Sequence, residues 1–118
     1  MTQDRLADYL AQSSEAIRLA MSYVDGMTKD AFMADKRTQQ AVILNLMVLG
    51  EIAAKVLQDH GEFARQHGAV PWRSMKGMRN RIAHGYFEVD LEVVWETVQS
   101  ALPGLRVQLD DTARGFTP

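Results

Sequence analysis

Cysteine is absent from the 118 residues, which excludes disulfides, thiolate zinc sites and cysteine nucleophiles together. Proline occurs only at Pro71, Pro103 and Pro118, so few positions forbid a continuing helix. Val, Ile and Tyr nowhere alternate with polar residues over a useful length, and strands are not expected. Long apolar runs are missing as well. The longest, Ala41 to Leu49, is interrupted by Asn45 and falls far short of the roughly 20 residues that span a bilayer. Met1-Thr2-Gln3-Asp4-Arg5 is charged and leads into no apolar segment, so neither a signal peptide nor a membrane partner is expected. With no cysteine, the chain reads as cytoplasmic. Charge of one sign is not in excess either. The net charge is −2 and the pI about 5.9, whereas a dedicated duplex-DNA binder is usually basic. A nucleic-acid partner would have to be held by a local patch, because the chain as a whole mildly repels phosphate.

What is present reads as helix. The length is that of one domain, residues 1–118, able to bury a single core. Leu6, Leu10, Ile17, Met21 and Val24 recur near the helical period and predict a first helix over about residues 3–24, ended by Gly26. Thr28 or Asp30 is expected to cap a short turn through Met33, and Asp35 a second long helix bearing Val42, Leu46, Leu49, Ala53, Val56 and Leu57 on one face. Pro71 suits the first turn of a third helix running to Ala83 or His84, with Gly85 as its C-terminal cap residue. Asp90 is the expected N-cap of a fourth helix with Leu91, Val94, Trp95, Val98 and Leu102, kinked or broken at Pro103-Gly104. Leu105 to Leu109 would add a last turn or two, and the polar tail over about 110–118 is expected to fray. Long helices joined by short turns predict an all-α, up-and-down bundle of four to five helices.

The third helix carries the chemistry. At about 100° per residue, Met75, Met78 and Ile82 form a core stripe, beside which come Arg79, Ala83, Lys76, Asn80, Arg73 and His84. Three cations, an amide and an imidazole thus gather on one arc, and Asn80 and His84 are one helical turn apart. Arginine offers a fork of donors that matches phosphate oxygens in pairs. Histidine titrates near neutrality and can take or give a proton. A neighbouring amide can fix which imidazole nitrogen is free. Those roles suffice for metal-independent cleavage of RNA, where the 2′-hydroxyl supplies the nucleophile. Arg79, His84 and Asn80 are therefore the catalytic candidates, with Arg73, Lys76 and Arg81 as substrate-binding candidates, each of which reads better as part of a solvated face. Arg79 and His84 lie about 140° apart on an ideal helix. Convergence on one phosphate requires either a loosened helix near Gly85 or, the favoured reading, a second subunit across a symmetric cleft. Glu51 is a candidate to orient Arg79 if buried, and otherwise a surface charge. His60 and His67 have no third ligand at useful spacing, and neither a metal nor a cofactor is expected.

Arg79-Asn80-Arg81-Ile82-Ala83-His84-Gly85-Tyr86 resembles the Arg-x4-His-x-Tyr motif of HepT-like toxins, a branch of the HEPN superfamily. Gly50-Glu51-Ile52-Ala53-Ala54-Lys55, Val70-Pro71-Trp72, Lys76-Gly77-Met78, Val89-Asp90-Leu91 through Trp95 and Leu102-Pro103 resemble that family's flanking stretches, so the resemblance spans most of the chain. It implies an all-helical homodimer acting as the ribonuclease toxin of a toxin–antitoxin pair. It further implies a minimal nucleotidyltransferase antitoxin as partner, with higher hetero-oligomers as an extension, and AMPylation of the motif tyrosine, here Tyr86, as the silencing step. The competing reading is a non-catalytic subunit that binds nucleotides or docks a nucleotidyltransferase through the same arc.

Overall fold

The computed structural model describes residues 2–84 and 88–116, with side chains for 5–82 and 88–116. Helix α1, Thr2–Tyr23, buries Leu6, Leu10, Ala16, Ile17 and Ala20 on one stripe, as its periodicity dictates. Just beyond it Gly26 takes φ 77°, a conformation that side-chain-bearing residues adopt only with strain. Helix α2, Lys29–Met33, begins where the Thr28 hydroxyl accepts from the Ala31 N–H at 3.1 Å, and it drives Phe32 into the core.

Helix α3, Lys36–Asp59, is the central element. Asp35 caps it by accepting from the Thr38 N–H at 3.1 Å and the Thr38 hydroxyl at 2.8 Å. Those two bonds favour the carboxylate and hold the Asp35 carboxyl below its ordinary value of 3.8. A carboxyl lowered on folding contributes stability that is complete above the unfolded value and lost as pH falls through the lower folded one. The difference in Tm between wild type and Asp35→Ala is therefore expected to be constant near neutrality and to shrink on acidification through the carboxylate range. A difference that widens with acid would refute this role.

Gln39 is buried and satisfied, donating to the carbonyls of Phe32 at 2.9 Å and Met33 at 3.0 Å, so it ties α2 to α3. Asn45, the polar interruption in the apolar run, donates back to the Ala41 carbonyl at 2.9 Å. By length and composition α3 is apolar enough to cross a membrane, yet Val42, Leu46, Leu49, Ala53 and Val56 are buried against other helices, the pattern of a core helix. Gly50 allows the closest approach: a Cβ there would sit 3.1 Å from the Met75 carbonyl oxygen.

Helix α4, Gly61–Gln66, leads into α5, Trp72–Lys76, and α6, Met78–Ile82. Trp72 is buried with its indole N–H given to the His67 carbonyl at 3.2 Å. The single helix expected from Pro71 to Ala83 or His84 is thus divided at Gly77, whose carbonyl accepts from Asn80 and Arg81. It also ends sooner than expected. Ala83–His84 forms a short strand β1 pairing antiparallel with β2, Glu88–Val89, with Ala83 opposite Val89 and His84 opposite Glu88. The Asp90 N–H closes this hairpin onto the Ile82 carbonyl at 2.7 Å. Two-residue strands are too short to leave an alternation in the sequence.

Asp90 then caps α7, accepting from Glu92 and Val93. Helix α7 runs from Leu91–Glu96 through a π turn, Thr97–Ala101, into Leu102–Gly115. Of the kink or break expected at Pro103-Gly104, the break does not occur. Proline has no N–H and crowds the preceding turn, and here the wide turn just ahead of it, closed by Leu102 N–H to the Thr97 carbonyl, accommodates it. The segment expected to fray from 110 onward is helical to Gly115, because Leu109 and Thr112 are buried. Phe116 meets Phe63 edge-on at 5.6 Å. Among the described residues α1 packs along α3 and along the last part of α7, while α3 takes α5 and α6 on another side, giving the all-α architecture with one continuous core.

Candidate active site

Division at Gly77 decides where the candidate side chains go. The core stripe survives it: Met75, Met78 and Ile82 are all buried, which anchors both short helices against α3. The polar arc does not survive as one face. Arg73, on α5, borders a concavity shared with Leu57, Arg65 and Trp72. Arg79, on α6, borders a groove of about 660 Å³ between α3, α6 and β2. Arg81, two residues on and so on another side of the same helix, borders a cleft against α7. Lys76 and Asn80 are exposed between them. Among the described residues, Arg73, Lys76, Arg79 and Arg81 enter no ion pair. They are separate exposed cations on a chain of net charge −2.

The Arg79 groove has an apolar floor. Ile43, Leu44 and Met47 of α3 line it together with Gln40, Glu51 and Val89, and Leu44 is 64 % exposed. Sequence periodicity identified the buried face of α3 and passed over this outer stripe; its signal was the recurrence of apolar residues at Leu44, Met47 and Val48, one turn apart. Glu51 is exposed on the groove wall, so the buried carboxylate considered for it is replaced by a solvent-facing one.

His84 leaves the helix with β1, so it is not the helical neighbour of Asn80 that an unbroken third helix would make it. The helix ends two residues before Gly85, which is one of the two routes to convergence with Arg79, the second subunit being the other, and Val89, which pairs with Ala83, lines the Arg79 groove. Val89 of β2 and the helix that carries Arg79 therefore border one solvent-open depression. Tyr86 lies outside the described residues, and the His84 side chain likewise. His67 stacks on Phe63 at 4.3 Å and His60 meets Tyr9 at 6.2 Å. Among the described residues no three His, Asp or Glu side chains gather where they could hold a metal ion.

The sequence profile of the family described as "Ribonuclease HepT-like" matches residues 13–111. A protein of Thermococcus cleftensis named as a probable ribonuclease HepT is 39% identical over 99 residues, covering 84% of this chain and 87% of its own. A protein of Methanocaldococcus jannaschii, named as a candidate RNase, is 33% identical over 95 residues, or 80% and 76% of the two chains. Another so named, from Caldanaerobacter subterraneus, is 31% identical over 103 residues, covering 87% and 89%. No solved structure gives a significant match.

Proposed function

Because the chain belongs to the HepT-like ribonuclease family, we propose that it is a metal-independent endoribonuclease toxin in which Arg79 and His84 act on one phosphate. The observation that carries this reading is an exposed Arg79, without an ion-pair partner among the described residues, on the wall of a solvent-open groove that Val89 of the following hairpin also lines. In the proposed step the ribose 2′-hydroxyl attacks the adjacent phosphorus while an imidazole takes its proton. The bond from phosphorus to the 5′-oxygen breaks, and that oxygen receives a proton. One fragment ends in a 2′,3′-cyclic phosphate and the other in a 5′-hydroxyl. Arg79 binds the non-bridging oxygens, where negative charge grows. Arg73, Lys76 and Arg81 hold neighbouring phosphates of the strand.

A homodimer fits this scheme. A second copy would cover the exposed apolar stripe of α3, which otherwise leaves Leu44 in water, and would bring a second Arg79 to the same cleft. The protein acts in the cytoplasm as one domain over residues 1–118. Purified protein incubated with cellular RNA in excess EDTA is expected to cleave it; RNA left intact with and without added divalent ions would overturn the nuclease reading.

The antitoxin we propose is a minimal nucleotidyltransferase, which assembles with the dimer. It transfers AMP from ATP to the Tyr86 hydroxyl, which attacks the α-phosphorus as pyrophosphate leaves. The adduct adds bulk and negative charge two residues from His84 and repels substrate phosphate. Tyr86→Phe is expected to remain toxic in the presence of active antitoxin and to keep its unmodified mass. Full neutralisation of that variant without a mass change would defeat covalent control.

The spread of Arg73, Arg79 and Arg81 over three surfaces favours one alternative, a non-catalytic nucleotide-binding or docking subunit. It predicts that His84→Ala captures the nucleotidyltransferase as well as wild type does and that neither form cleaves RNA.

A further inference from the structure

We propose that the cleft between α5, α6 and α7 is a nucleobase subsite that selects bases bearing an exocyclic amine. It is distinct from the Arg79 groove and lies on another side of α6. Its volume is about 450 Å³, ample for a single nucleotide. Met75, Met78, Leu102 and Leu105 form its floor, and all four are otherwise buried in the core. Such a floor offers apolar and thioether surface to one face of a flat ring.

The rim supplies what the edge of a nucleotide needs. Arg81 stands on one side without an ion-pair partner among the described residues, as a donor fork for phosphate. Glu92 and Glu96 stand on the other. Glu92 is already paired with Lys29, whereas Glu96 makes no ion pair among the described residues and only a long 3.4 Å bond from the Ser100 hydroxyl. A carboxylate accepts from the amine of cytosine, adenine or guanine and is repelled by the two carbonyls of uracil. The wall beside Glu96 is the π turn itself, whose first and last residues, Thr97 and Ala101, both line the cleft. The widened turn thus shapes the cavity, in keeping with the frequent placement of π turns at functional sites.

Placement ties the cleft to the proposed chemistry. The hydrogen bond from Asp90 N–H to the Ile82 carbonyl closes the hairpin that carries His84. Arg81 immediately precedes that closure and Glu92 follows it by two residues. A strand lying across α6 with one phosphate at Arg79 would bring a neighbouring nucleotide to Arg81 and its base into the cleft. That last statement rests on the nuclease reading; base binding in the cleft does not.

The methionines report the two surfaces separately. Met75 and Met78 line the cleft, and Met47 lines the Arg79 groove. With 13C-methyl-methionine protein, titration of cytidine 5′-monophosphate is expected to move the Met75 and Met78 methyl signals saturably. Uridine 5′-monophosphate should bind roughly tenfold more weakly. Glu96→Gln, an exposed position, should bring the two affinities together, since an amide can serve either edge. The proposal is overturned if Met75 and Met78 do not respond to either nucleotide, if the two bind alike to wild type, or if only Met47 moves. Met75 and Met78 signals that answer to protein concentration and not to nucleotide would assign the cleft to self-association and overturn it equally. No outcome of this titration depends on catalysis, so a failed nuclease assay and a failed base subsite remain distinguishable.

Discussion

Replacing His84 with alanine is expected to lower the rate of RNA cleavage by about 10²–10⁴-fold, the usual contribution of a positioned acid–base group. The expectation rests on what else the chain offers for proton transfer. Among the three histidines, His60 meets Tyr9 and His67 packs on Phe63, neither of them lining the Arg79 groove, and there is no cysteine. The backbone of His84 is held by pairing with Glu88, so the substitution should leave the hairpin in place. Arg79→Ala should be comparably inactive with an unchanged Tm, because Arg79 is exposed and enters no ion pair among the described residues. Single-turnover cleavage of a short RNA separates the cases. An His84→Ala protein that retains more than about a tenth of wild-type rate would remove His84 from the chemistry.

Ile82→Ala is expected to cost about 2–5 kcal/mol, the range for emptying a fully buried aliphatic position, and to lower Tm by on the order of 10 °C. Ile82 has no exposed surface, sits at the end of α6, and its carbonyl accepts the Asp90 bond at the root of the hairpin. The cavity therefore opens directly beneath the segment carrying the motif. Calorimetry measures the stability, and cleavage at a temperature well below the variant's Tm measures the site. A loss of less than about 1 kcal/mol would mean that the core beneath the motif relaxes freely, against the close packing of α6 on α3 and α7.

The contrast between those two residues shows what the sequence carries. The caps at Thr28, Asp35 and Asp90 and the buried faces of α1 and α3 are local properties, set by side chains within a few residues of the backbone they govern, and they stand where periodicity places them. Met75, Met78 and Ile82 were legible as a core stripe for the same reason. The division at Gly77 was not, because a lone glycine within a helical pattern is ordinarily tolerated; here it separates Arg73 from Arg79 and sends them to different surfaces. The continuation past Pro103 was illegible because proline usually ends a helix and the wide turn ahead of it leaves no compositional mark. Helix beyond residue 110 depends on tertiary contacts, with Ser14 of α1 reaching Asp110 at 3.4 Å and Phe63 of α4 meeting Phe116. The candidate cations were therefore readable as residues, and their arrangement on three surfaces was not.

The central claim is that an arginine and a histidine cleave RNA through its own 2′-hydroxyl, and the ends of the products test it most directly. A 5′-labelled oligoribonucleotide should be cut in EDTA to a fragment ending in a 2′,3′-cyclic phosphate, and a copy with 2′-deoxyribose at the cut position should resist. Products bearing a 3′-hydroxyl and a 5′-phosphate, or cleavage of the deoxy-substituted copy at the same rate, would contradict the account.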